Sequence, residues 1–185
     1  RICLTTPCKA ARRARTSMLS SSEQRLTDEY LKHGFVIRSC ESVADLDWIR
    51  SQFVEFSKTE IGDRGSARPD TWLNQIHEKV AIDDLNQFRV SMIKKINSQD
   101  GLRSRYFRLA KSLLEGIVGN ELAMQRRINL SIQFPGDNSS LLPIHADAWS
   151  GDSPFEVVVW IPLVDCYKTK SMYILPPEKT SELHR

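Results

Sequence analysis

Cysteine is scarce and scattered in this chain. Cys3, Cys8, Cys40 and Cys166 are four residues in 185, with no Cys-x-x-Cys pair among them. That spacing excludes a disulfide framework and makes a reducing compartment the default expectation. Long apolar runs are missing as well. The longest, Val157–Val164, is interrupted by Pro162; it is strand-sized and far short of the 18 or so residues a membrane span needs. Eight glycines and eight prolines are too few for a collagen-like or low-complexity chain. A 41% apolar and 26% charged composition excludes intrinsic disorder.

Acidic residues are absent from positions 1–22, which carry Arg1, Lys9, Arg12, Arg13 and Arg15. The formal charge of +3 therefore misrepresents the body of the protein. Without those five bases, 21 basic residues face 23 acidic ones, a net of −2. No basic nucleic-acid surface is expected. Residues 1–22 read as a non-globular or targeting-like segment, Arg- and Ser-rich and without apolar period. The competing reading is upstream sequence outside the fold, with Met18 as the start. The expected location is the cytoplasm, or an organelle if residues 1–22 are a transit peptide. Residues 23–185 have the length of one domain.

Helices dominate the first part of that domain. Leu26–Lys32 reads as a short helix stopped at Gly34, Phe35–Ile37 as a brief strand, and Ser42 as the N-cap of a helix bearing Leu46, Ile49, Phe53 and Phe56 on one face. Residues 61–70 read as loop. Trp72–Ile96 is expected to be helical in one or two pieces, and Arg103–Val118 has the most regular helical period in the chain. The period then changes to two. In Arg127–Phe134, Ile128, Leu130, Ile132 and Phe134 alternate with Arg127, Asn129, Ser131 and Gln133. Strands are further expected at 141–147, 155–164 and 171–175. Helices first and strands afterwards define an α+β class.

The chemistry-bearing residues are His145 and Asp147 in Leu142–Asp147. On a strand, residues two apart project to one face, their Cα atoms roughly 6.5–7 Å apart. An imidazole and a carboxylate can close that span around one divalent ion. With a second histidine they would form the facial triad of non-haem Fe(II) sites. Taken alone, His-x-Asp is equally the sequence of a strand end whose side chains hydrogen-bond locally.

The surroundings add to the tripeptide. HADAWSGDSPFEVVVWIPLVDCYKTKSMYILP, from His145 to Pro176, resembles the phytanoyl-CoA hydroxylase-like branch of the Fe(II)- and 2-oxoglutarate-dependent oxygenases, and LTDEYLKHGFVIRS, from Leu26, is similar to that family's opening helix and strand. Within the branch, the closest resemblance is to oxygenases encoded in sporadic bacterial carbohydrate-biosynthesis clusters. The resemblance implies N-terminal helices packed on an incomplete double-stranded β-helix of the jelly-roll or cupin type. It implies His145 and Asp147 as the iron ligands and catalytic centre, and Trp160, Gln133 and Asn129 as residues that contact 2-oxoglutarate or substrate. Trp149, Ser150, Asp152 and Ser153 would lie on the substrate side. The implied reaction is hydroxylation or a related C–H oxidation of a small molecule, a sugar derivative being the class the family context suggests. No nucleic-acid partner and no membrane span are expected.

One expected part is missing. The family's third ligand and the basic residue that clamps 2-oxoglutarate come on later strands, whereas only His184 follows Asp147 among the histidines. Residues 23–185 are therefore expected to be a partial oxygenase domain lacking its last core strands, and inactive as it stands. Two other readings stay open: a non-catalytic jelly-roll binding domain, and a cupin-type sugar epimerase or isomerase.

Overall fold

Ser20 and Glu23 start the first helix by capping each other. The Glu23 N–H donates to Ser20 Oγ (3.3 Å), and the Ser20 N–H donates to the Glu23 carboxylate (2.7 Å). The computed structural model describes residues 2–5 (backbone only), 19–66, 68–138, 141–153, 155–180 and 182. Helix α1 spans Ser21–His33, so the helix begins inside the segment that sequence places outside the fold. It stops where expected, at Gly34, whose φ of 76° suits a residue without Cβ. Strand β2 (Phe35–Arg38) follows, and the Ser42 hydroxyl then caps α2 (Val43–Ile61) by accepting from the Asp45 N–H. Ile49 and Phe53 are buried, with Leu46 and Phe56 packed against them.

The expected helix over residues 72–96 divides further than its period suggests. Pro69 opens α3 (Pro69–Asn74), two single 3-10 turns follow at Ile76–Glu78 and Ile82–Asp84, and α4 runs over Leu85–Asn97. Trp72 is a core residue. Its indole N–H donates to the buried Ser57 hydroxyl at 2.7 Å, and Lys79 lies 4.5 Å above its ring.

The stretch 103–118, expected as one helix, is two: α5 (Leu102–Arg108) and α6 (Lys111–Ile117). Glu41 stabilises the break. Its N–H donates to Leu109 C=O (3.0 Å), and its carboxylate accepts from the Ser112 and Leu113 N–H groups at 3.0–3.3 Å. A residue remote in sequence thus takes up backbone groups that helix ends leave open. Leu109 and Ala110 at the corner are completely buried.

Asp45 joins α2 to α5. Only 5% exposed, it accepts from Arg108 Nε (2.7 Å) and Nη2 (2.8 Å), Arg105 Nη1 (2.8 Å) and Ser42 Oγ (2.8 Å). Arg105 also stacks over Trp48 at 4.5 Å. The hydrogen bonds from Arg108 above all, then those from Ser42 and Arg105, outweigh burial and hold the Asp45 carboxyl far below its ordinary 3.8.

After α6 the described chain forms little ladder; it is mostly irregular, with 3-10 turns at Asp147–Ser150 and Lys168–Lys170 and a short helix α7 (Pro177–Thr180). Strand β3 is only Val158–Trp160. The backbone of β1 (Ile2–Thr5) lies between β2 and β3, antiparallel to both, with Cys3 opposite Ile37 and Trp160; β2 and β3 do not pair directly. Residues 128–134 keep the expected alternation, with Ile128, Leu130, Ile132 and Phe134 turned to the core and Asn129, Ser131 and Gln133 exposed. Helix side chains stand in for partner strands here. Asn97 bonds both the N–H (2.8 Å) and the C=O (2.9 Å) of Ile128, and Arg89 donates to Ile132 C=O (2.7 Å). Similarly, Tyr106 donates to Val159 C=O (2.7 Å) and Arg50 to Leu163 C=O (3.1 Å). Residues 141–146 and 171–175, within stretches expected as strands, are irregular, and Asp147 begins a 3-10 turn. No helix among the described residues is long and apolar enough to cross a membrane.

Asp45→Asn is expected to destabilise the fold by about 2–3 kcal/mol near neutral pH, because the arginines lose their charge partner but are exposed enough to rehydrate. The unfolded chain binds the Asp45 proton more readily than the folded one, so this contribution is complete well above pH 4 and declines as acid is added below it. Urea denaturation of both proteins from pH 7 to pH 3 should show the gap between them closing on the acid side. A second expectation concerns Asn97→Leu. It removes two bonds to the Ile128 backbone and should cost roughly 1–3 kcal/mol in the same assay.

Candidate functional site

His145 and Asp147 do not share a strand. Ala146 is extended, and Asp147 begins a 3-10 turn, Asp147–Ser150, that ends at Gly151 with φ 100°. The turn is closed by Trp149 N–H to Ala146 C=O (2.8 Å) and Asp152 N–H to Asp147 C=O (3.3 Å). Nearby Pro143 has no backbone N–H to give to a ladder, which disfavours regular strand up to this point.

The two side chains nevertheless converge. His145 Nε2 lies 3.7 Å from Asp147 Oδ1, and both side chains are a little under half exposed. On the other side of the ring, Nδ1 is 2.7 Å from Pro143 C=O. A carbonyl only accepts, so the Nδ1 position carries the proton of this bond. In neutral imidazole the lone pair then sits on Nε2, facing the carboxylate. A backbone carbonyl bound to the far nitrogen is a common way of fixing the tautomer and orientation of a metal-binding histidine.

Those donors suit a divalent first-row ion. One bound to both at about 2.0–2.2 Å would bring them roughly 3.0–3.5 Å apart, so 3.7 Å needs to close by only a few tenths of an ångström. Among the described residues no third ligand completes the set, and no group of three His, Cys, Asp or Glu side chains is placed to hold a metal. His184 lies outside the described residues.

The remaining expected site residues are spread out. Asn129 borders a narrow apolar cavity of about 50 Å³ between α2, α4, α5 and the extended segments, room for a water or two and far too small for 2-oxoglutarate. The wall of that cavity includes Leu130, Ile161 and Tyr106, but not Gln133, Trp160, His145 or Asp147. Burial raises the Tyr106 hydroxyl pKa to about 12, which keeps it protonated and donating to Val159. Gln133 is exposed, and Trp160 is half-buried at the end of β3. Trp149, Ser150, Asp152 and Ser153 are exposed beside the Asp147 turn.

A larger, open polar cleft of about 360 Å³ lies between α3 and the chain after β3, walled by Asp70, Asn74, Asp165, Tyr167 and Lys170 among others. Lys170 Nζ donates to Asn74 Oδ1 there at 3.1 Å. Sequence reasoning missed both this cleft and the Pro143 carbonyl. Neither has a local signal, since the cleft joins residues about 95 positions apart and a backbone acceptor looks alike at every position.

Because His145 and Asp147 are exposed and bear no load in the core, His145→Ala and Asp147→Ala should each change folding stability by less than about 0.5 kcal/mol. Thermal melts of the variants check this; a larger loss would mean that the pair serves the fold. No protein-family model, curated protein or solved structure matches this chain.

Proposed function

We propose that this chain carries the two-ligand half of a non-haem Fe(II) site of the 2-oxoglutarate-dependent dioxygenase kind, with His145 and Asp147 as the ligands. The convergence of His145 Nε2 and Asp147 Oδ1, with the opposite ring nitrogen held by Pro143, is the observation that supports the reading most directly. An Nε2 lone pair close to a carboxylate oxygen calls for a proton or a cation between them, and a nitrogen with an oxygen donor suits iron.

Dioxygen, activated at Fe(II) at the expense of 2-oxoglutarate, would supply the oxidising power for attack on a C–H bond. The residues of this chain have narrower tasks. Pro143 C=O fixes the imidazole, the turn closed by the Asp152 N–H orients Asp147, and exposure of both donors leaves the remaining coordination positions open. Asn129, Gln133 and Trp160 are the proposed co-substrate contacts, and a small molecule, a sugar derivative by family resemblance, is the proposed substrate. With two donors the site binds metal weakly, and turnover by the 185-residue chain alone is expected to be absent.

Calorimetric titration with Fe(II) or Mn(II) under anaerobic conditions, with and without 2-oxoglutarate, tests this. The expected result is weak metal binding, lost on His145→Ala and on Asp147→Ala, with 2-oxoglutarate bound only when metal is present. Metal binding without any 2-oxoglutarate response would favour the cupin-type reading, and binding of neither would favour a non-catalytic module.

A further inference from the structure

The polar cleft between α3 and the 3-10 turn Lys168–Lys170 holds its one ammonium in a fixed place. Asn74 Nδ2 donates to Asp70 C=O, one helical turn back, at 2.8 Å. Its Oδ1 is thereby set to accept from Lys170 Nζ at 3.1 Å. The same ammonium lies 5.4 Å from the centre of the Tyr167 ring. A free lysine loses rotamer freedom when it grips a ligand; this one is positioned beforehand and has two N–H groups left to give.

The turn that carries Tyr167 and Lys170 is strained. Lys168 has a φ of 49°, the sole positive value at a non-glycine residue among those described. Left-handed backbone of this kind concentrates at ligand clamps and switch regions. The turn is closed by Lys170 N–H to Tyr167 C=O at 3.0 Å, which brings both side chains to one wall of the cleft.

The lining groups are mixed in kind. Asp70 and Asp165 only accept hydrogen bonds, Lys170 only donates, and Thr71 and Gln75 do both. Tyr167, 58% exposed, adds an aromatic surface among them. A sugar ring matches that set, because each hydroxyl both donates and accepts and the axial C–H groups form an apolar face. Charge disfavours the competitors. A phosphate or carboxylate would meet two carboxylates, and of these Asp70 alone has a cation partner among the described residues, Arg68 at 3.4 Å. A cationic ligand would meet the fixed ammonium of Lys170. At about 360 Å³ the cleft is near the lower end of small-molecule sites, sized for a sugar ring or two.

We propose that this cleft binds a neutral saccharide, one ring stacked on Tyr167 with its hydroxyls shared between Lys170 and the carboxylates of Asp70 and Asp165. Neither His145 nor Asp147 lines it, so the site does not depend on the metal reading above.

Saturation-transfer NMR of the full chain in EDTA tests the proposal, with the methyl glycosides of glucose, galactose, mannose and N-acetylglucosamine as neutral probes and glucuronate as the charged one. At least one neutral glycoside should bind with a Kd of about 1 mM, and glucuronate about tenfold more weakly. Tyr167→Ala and Asp165→Ala lie at exposed positions where substitution spares the fold, and each should weaken binding about tenfold or more. His145→Ala should leave it unchanged. No response from any neutral glycoside, binding indifferent to both cleft variants, or glucuronate binding as well as the neutral probes overturns the proposal. No metal takes part in this experiment, so its failure leaves the His145–Asp147 reading standing, and a failed metal titration leaves the cleft standing.

Discussion

The buried carboxylate of Asp45 fixes the layer on which everything else rests. By accepting from Arg105 and Arg108 it sets α5 against the start of α2. The same two helices carry Arg50 and Tyr106, whose polar ends reach the carbonyls of Leu163 and Val159. Helix α4, packed on α2, adds Asn97 and Arg89 for the 128–134 segment. Backbone polar groups brought near a core need partners, and in this protein helix side chains meet part of a need that sheet ladders usually meet alone. A disturbance at Asp45 therefore reaches the half after α6 through shared helices.

The loop of His145 and Asp147 is held in place by contacts of its own, although it is exposed. The His145 ring is held by its own main chain at Pro143, and Asp147 by the first turn of a 3-10 helix. Both constraints are local, so the pair does not depend on deep burial. The same locality limits it. Two donors on a single loop leave most of a metal's coordination positions to other groups, and strong binding needs a third protein ligand in place.

Much of the helical half was legible because its signals are local. Gly34 and Ser42 marked the helix boundaries that the structure shows, and the stripe Leu46, Ile49, Phe53 and Phe56 marked the face of α2 that meets the core. The Ser20–Glu23 cap was equally local but lay in a stretch dominated by its odd composition. The break at Leu109–Ala110 had no local signal, because Glu41, about 70 residues away, stabilises it. Asp45 reads in sequence as an ordinary acidic residue of a first helical turn, and only the approach of α5 makes it a buried hub. Alternation in 128–134 revealed which side chains face the core but not what the backbone bonds to, and that is why an extended segment was read as a ladder strand. For the candidate site, the two-residue spacing of His145 and Asp147 indicated that they could meet; the turn that brings them together, and the carbonyl that fixes the ring, are main-chain features without a residue signature.

We propose a cation between His145 and Asp147. Anomalous diffraction from crystals of the chain soaked in Mn(II) addresses it most directly. A peak bonded to His145 Nε2 and an Asp147 oxygen at about 2.0–2.2 Å is expected, with the Nδ1 contact to Pro143 intact. A peak at another site, coordination through Nδ1, or a fully soaked crystal with no density between the two side chains would contradict it.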